Sequence, residues 1–193
     1  MKKYLLISLL FLFMTSSVFS QGLYFDIGFG VGNAKTEIDG YDVSDLFDSS
    51  VTEIGVDLGL KLGYGPVASM PIYIIGEISG IGHRFEDDVN YIQFNSYLIG
   101  PGVIYYPIPL IQIGTSIGYS FVSNQTDLPM SMYDSDSGLA GNVSAAFDLG
   151  KGNHGCLIGI KYAKATNTLE VSGAEQESSL FSAFIKYAYR KKI

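Results

Sequence analysis

Residues 54–64 read Ile-Gly-Val-Asp-Leu-Gly-Leu-Lys-Leu-Gly-Tyr. Ile54, Val56, Leu58, Leu60, Leu62 and Tyr64 share one parity, while Gly55, Asp57, Gly59, Lys61 and Gly63 share the other. Successive side chains of a strand point to opposite faces, so this period of two predicts a strand with one apolar face and one small or charged face.

The same split recurs along the chain. Leu23–Gly32 sets Leu23, Phe25, Ile27, Phe29 and Val31 against Asp26 and three glycines. Leu110–Val122 opposes Ile111, Ile113, Ile117, Tyr119 and Phe121 to Gln112, Gly114, Ser116, Gly118 and Ser120. Leu139–Leu149 and Cys156–Ala163 repeat the pattern, and Ser179–Tyr189 does so with Leu180 and Phe184 on its polar side. Two segments read less simply: Ile72–His83 is apolar on both faces near its start, and Tyr91–Tyr106 contains Gly100-Pro101-Gly102, which predicts a bulge or kink. A carboxylate on the apolar face would be costly, so Glu77, Ser79 and His83 are expected on the polar side.

Eight such segments alternate with connections of unequal length. Short ones fall at Gly65–Met70, Pro107–Pro109 and Gly150–His154, and long ones at Ala34–Thr52, Arg84–Asn90, Ser123–Asp136 and Ala165–Gln176. The expectation is an all-β, eight-stranded antiparallel up-and-down barrel that spans a membrane, with short turns on one side and long loops on the other. Residues 1–20 read as a secretory signal: Lys2 and Lys3, an apolar stretch from Tyr4 to Phe13, and small residues Val18 and Ser20 before a cut. Residues 21–193 then form one barrel domain beginning at Gln21, placed in a bacterial outer membrane with both termini periplasmic.

Composition agrees. Of 193 residues, 47% are hydrophobic and 16% charged, with 23 Gly and 14 Tyr. After the signal there is no run of about 18 apolar residues that would make a spanning helix. Cys156 is the sole cysteine, so no intrachain disulfide forms. Tyr64, Tyr73, Tyr106, Phe147, Tyr187 and Tyr189 are expected to ring the turn end, and Tyr91, Tyr119, Phe121, Tyr162 and Phe181 the loop end, as two aromatic girdles.

On these segments, from Gln21 to Tyr189, the chain resembles the small eight-stranded outer-membrane barrels of the OmpA and OmpX type. The resemblance implies an aromatic last strand read by the barrel-assembly machinery, to which Phe181, Ile185, Tyr187 and Tyr189 are similar. Arg190, Lys191, Lys192 and Ile193 extend past that pattern.

Charge narrows the partners. The long loops hold Glu37, Asp39, Asp42, Asp45, Asp48, Glu86, Asp87, Asp88, Asp127, Asp134, Asp136, Glu170, Glu175 and Glu177, most of the 19 acids. The formal charge of −7 becomes more negative once Lys2 and Lys3 are removed, which disfavours nucleic acid and other polyanions. Outer-membrane lipid, an extracellular ligand and divalent cations are the expected partners. Asp39, Asp42, Asp45 and Asp48 recur every third residue but lack the alternating spacing and closing Glu of a calcium loop, so a solvated loop is expected.

Asp26, Glu53, Asp57, Lys61, Glu77, Asp148, Lys161 and Lys186 are expected inside the barrel. Eight strands leave room only for side chains, so mixed charges there predict a paired plug. Glu77, Ser79 and His83 carry the residue types of a hydrolase, but alternate residues of one strand stand about 7 Å apart and do not by themselves form a relay. His154 is expected in a turn and Cys156 on the apolar face. No metal spacing, phosphate loop or dinucleotide fingerprint occurs, and no cofactor is expected. The leading expectation is a non-enzymatic structural or surface-interaction barrel, adhesin-like in role. The alternatives are a narrow channel, a lipid-modifying enzyme, or a soluble lipocalin-type barrel with its apolar face turned inward.

Overall fold

A computed structural model describes residues 22–47, 51–67, 70–87, 90–128, 132, 134–135, 138–170 and 172–190. The expected signal segment, Asp48, Asp88, Asp136 and residues 191–193 lie outside the described residues. Eight long strands are present: β1 (Leu23–Ile38), β2 (Thr52–Tyr64), β3 (Ile72–Glu86), β4 (Tyr91–Ile108), β5 (Ile111–Val122), β6 (Gly138–Asp148), β7 (His154–Thr168) and β8 (Glu175–Arg190). Each pairs antiparallel with its sequence neighbour, and β8 pairs with β1 from Tyr24↔Arg190 to Ile38↔Gln176. That last pairing closes the sheet into a ring and removes its edges.

The alternation turns the apolar parity outward. Phe29, Val31, Leu58, Ile117, Leu139, Val143, Phe147 and Phe181 are all more than half exposed on the outer wall. Asp26, Asp57, Lys61, Glu77, Lys161 and Lys186 are buried in the interior. A soluble barrel would reverse these faces, so the lipocalin-type alternative is set aside. An apolar belt of this extent requires a nonpolar surrounding.

The strands outrun the belt, and the first, second and fourth long loops are shorter than in the sequence reading, while the third still runs from Val122 to Gly138. Above Val31 the outward positions of β1 become Asn33, Lys35 and Glu37, yet pairing with β8 continues. Outward Lys164 and Thr166 on β7 and Glu177 and Ser179 on β8 continue the same collar. An apolar criterion stops at the belt, whereas backbone pairing does not. Only four residues therefore separate Glu86 from Tyr91, and six separate Thr168 from Glu175.

Several further placements differ. Tyr73 and Tyr106 are buried inside, packed with Tyr24 at the turn end, and do not belong to a girdle. Leu180 and Phe184 also point inward. The Gly100-Pro101-Gly102 segment keeps its register, and the irregularity of β4 falls between Tyr105 and Ile108. His154 opens β7 and donates to or accepts from the Tyr187 hydroxyl at 2.7 Å. Arg190 belongs to β8 and is buried. Cys156 is exposed on the outer face.

Candidate functional site

The interior begins with glycines. A Cβ on Gly28 would lie 2.2 Å from the Ile185 carbonyl oxygen and 2.5 Å from Lys186 Cγ, and one on Gly59 would lie 3.2 Å from Lys186 Nζ. These bare positions let Lys186 lie across the lumen. Gly114 does the same for Lys61, whose Nζ would stand 3.3 Å from a Cβ there.

Three acids and three lysines meet in the resulting space. Lys161 Nζ donates to Asp57 Oδ1 at 2.6 Å and lies 3.6 Å from Glu77 Oε1. Lys61 Nζ lies 3.6 Å from Glu77 Oε2, and Lys186 Nζ 3.7 Å from Asp26 Oδ1. Glu77 also accepts from Ser116 Oγ at 2.5 Å and Asn142 Nδ2 at 3.0 Å. The set is formally neutral, and each charge has a counter-charge, as low-dielectric burial demands.

The turn end is closed by a second layer. Tyr24 donates to Asp26 at 2.6 Å, and Gln112 Nε2 donates to the hydroxyls of Tyr24 and Tyr106 at 2.9 and 2.8 Å. Arg190 Nε and Nη2 both donate to Asp148 Oδ2, at 2.8 and 2.5 Å, while Nη2 also reaches the Pro109 carbonyl. The Arg190 guanidinium stacks 4.0 Å from the Tyr106 ring centre. Asp148 thus pairs apart from the central lysines.

At the loop end, Glu53 is the exception among the expected interior charges. Its side chain is 46% exposed at the mouth, with Oε1 2.9 Å from His83 Nε2. His83 Nδ1 lies 3.0 Å from Thr36 Oγ1. The Glu77, Ser79 and His83 combination is not assembled, because Glu77 binds Ser116 and Asn142 one level below. A hydroxyl, imidazole and carboxylate do meet here, but Thr36 is fully buried and offers no approach to a substrate. Over them sits an apolar lid: Phe47 stacks on Phe85 at 4.4 Å, and Val43, Phe85 and Phe94 form a buried cluster.

Loop acids mostly serve the loops. Asp39 and Gly40 take positive φ (51° and 81°) in a two-residue turn that returns Tyr41–Asp42 onto β1. Asp39 Oδ1 accepts the Glu175 backbone N–H at 2.8 Å, tying the first loop to the last. Asp42 caps the short 3₁₀ helix Val43–Leu46 by accepting from the Ser44 backbone and hydroxyl. Burial raises the Asp42 carboxyl, but the two Ser44 hydrogen bonds and the Lys35 ammonium outweigh it and hold it below its ordinary value. Asp87, Asp127 and Asp134 accept the N–H groups of Asn90, Tyr91 and Asn124. Asp45 is exposed, and half-exposed Glu86 accepts from Arg84 at 2.9 Å.

No protein-family model matches the chain, and no curated protein is similar to it in sequence. Solved structures are. Ail, the attachment invasion locus protein of Yersinia pestis, solved in complex with the heparin analogue sucrose octasulfate, superposes with a TM-score of 0.53. That match covers 86% of this chain and 99% of Ail at 15% identity. Neisserial surface protein A gives a TM-score of 0.53 at 14% identity, over 85% of this chain and 95% of its own. This chain has the fold of the small eight-stranded outer-membrane β-barrels. The apolar belt of the barrel is then its lipid surface, and the charged collar stands in the headgroup region and above.

Sequence reasoning placed Gln112 on the inward face of β5 but missed Arg190, Tyr24 and Thr36 in this interior. Parity alone could have found Tyr24 and Arg190, since each shares the inward face of Asp26 or Lys186. Thr36 was hidden because the apolar alternation of β1 ends before it.

Proposed function

We propose that the barrel is a surface-interaction protein that presents its loop end as an acidic binding face and performs no catalysis. One observation carries this reading. Every described basic side chain of the collar is held by an acid: Lys35 by Glu37 and Asp42, Arg84 by Glu86, and Lys164 by Glu177. Asp39, Asp45, Asp127, Asp134, Glu170 and Glu175 add acidic charge beyond these pairs. A ligand that is cationic, or neutral and bridged by divalent cations, fits such a face, whereas a polyanion of the kind bound in the Ail structure does not.

The two closures support a scaffold over a pore. Phe47, Phe85 and Phe94 cover one end and the Tyr24, Tyr106 and Arg190 layer the other, with the paired lysines between them. The termini face the periplasm in this reading, and the signal segment directs export. The last strand engages the assembly machinery.

The test deletes the tips at residues 41–47 and 127–135 and measures adhesion of cells bearing equal amounts of inserted barrel to cationic and anionic surfaces. Reduced adhesion to cationic surfaces is expected. Unchanged adhesion with an intact barrel would sink the proposal, single-channel current from the purified protein would favour a pore, and loss of a lipid-hydrolysing activity in His83→Ala would favour the enzyme.

A further inference from the structure

We propose that the outer wall over β5, β6 and β7 carries a specific groove for one phosphate-bearing lipid. Register sets Ile117, Gly141 and Lys164 side by side on the outer face. Gly141 leaves a gap between two flanking side chains, and an open groove of about 510 Å³ lies over it. Leu139, Val143, Ile117 and Tyr162 stand out around this floor, each 45% or more exposed. The volume is in the range of a bound small molecule or a single acyl chain, and the walls are apolar.

The glycine has no inward duty. A Cβ on Gly141 would approach only the Ser116 backbone oxygen, at 3.2 Å, whereas one on Gly28 would collide with a strand and a lysine. Its effect is confined to opening the lipid surface. The one hydroxyl at the groove's lower end, Thr115, donates to the Asn142 carbonyl at 3.0 Å and so presents no unpaired donor to an acyl chain.

The headgroup chemistry follows from the rim. The groove ends at Lys164 and Thr166, where the outward residues of β7 change from apolar to polar. Lys164 has Gly141 on one flank and β8 on the other, and Glu177 of β8 holds its Nζ at 2.7 Å. An ammonium has three donors, so Glu177 orients the group and leaves two for a phosphate oxygen at the groove mouth. An acyl chain below and a phosphate above identify a phosphorylated membrane lipid of the leaflet on the loop side. This inference is independent of what the acidic loops bind.

Native mass spectrometry of the full-length barrel, released from detergent containing dimyristoyl phosphatidic acid or dimyristoylglycerol, tests it. The wild type is expected to retain one phosphatidic acid and to prefer it over the neutral lipid. Gly141→Leu should lower retention of both about tenfold by filling the groove, while Lys164→Ala should abolish only the preference, the loss expected for one charged hydrogen bond. Leu58→Trp, elsewhere on the belt, should change neither. Should Gly141→Leu fail to fold, Ile117→Cys in a Cys156→Ser background, labelled with a bulky maleimide after folding, blocks the same space. Equal retention in filled and unfilled proteins, equal affinity for charged and neutral lipid, or a second protein copy in place of lipid would overturn the assignment.

Discussion

Lys161 Nζ lies 2.6 Å from Asp57 Oδ1, although β7 and β2 are three strands apart around the ring. The contact crosses the lumen and ties two walls that share no backbone bond. Lys161→Met leaves Asp57 and Glu77 with insufficient positive charge in a closed interior. A loss of about 3–5 kcal/mol in unfolding free energy is expected, measured by urea unfolding in lipid vesicles. Pairing it with Asp57→Leu should restore most of that loss.

Arg190 makes a different kind of bond from a lysine. Its two donors to Asp148, its third contact to the Pro109 carbonyl and its stacking on Tyr106 need a planar fork. Arg190→Lys keeps the charge and should still cost about 1–2 kcal/mol, because at least one charged hydrogen bond goes unmade. The same unfolding measurement reads it, and a stability equal to wild type would deny the fork any role.

Gly28→Val should stop the ring from closing. The new Cβ would meet backbone of β8 at 2.2 Å, at the seam between first and last strands. On unboiled SDS gels the variant is expected to run as unfolded chain, whereas Gly152→Ala, in an open turn at positive φ, should still show the folded band.

The first loop should loosen in acid. Asp42 is held below its ordinary pKa in the folded loop, so the stability it adds is complete above the unfolded carboxylate value of about 3.9 and disappears as pH falls through the lower folded one. Amide exchange at Ser44 is expected to rise below that window in wild type. In Asp42→Asn the rise should be absent, with exchange the same at pH 3 and pH 6 after correction for intrinsic rate.

The barrel was legible wherever an apolar outward set opposed a small or charged inward one, as in residues 54–64. It was less legible where the outward set turned polar, at Lys35 and Glu37 or at Lys164 and Thr166, since nothing in hydropathy marks a strand rising out of lipid. Tyr73 and Tyr106 were misplaced because aromatic residues suit both a membrane interface and a crowded lumen. Parity separates the two: Tyr73 shares the inward parity of Glu77 on β3, and Tyr106 that of Leu98 and Ile104 on β4. Glu53 follows the inward parity of β2 but sits at the loop end of that strand, where its side chain meets solvent. The pairing of loop acids with backbone N–H groups depends on turn geometry that residue spacing alone did not convey.

The seam from Tyr24↔Arg190 to Ile38↔Gln176 also sets a timetable. Its two strands are the first and last to be made, so neither can be satisfied locally, and every nascent form of the chain carries two raw edges. The β1 edge must wait through the synthesis and delivery of seven more strands without pairing to a stranger. Maturation of this protein is therefore a problem of custody as much as of stability: something must hold the opening strand until its distant partner arrives, and the finished ring releases whatever held it.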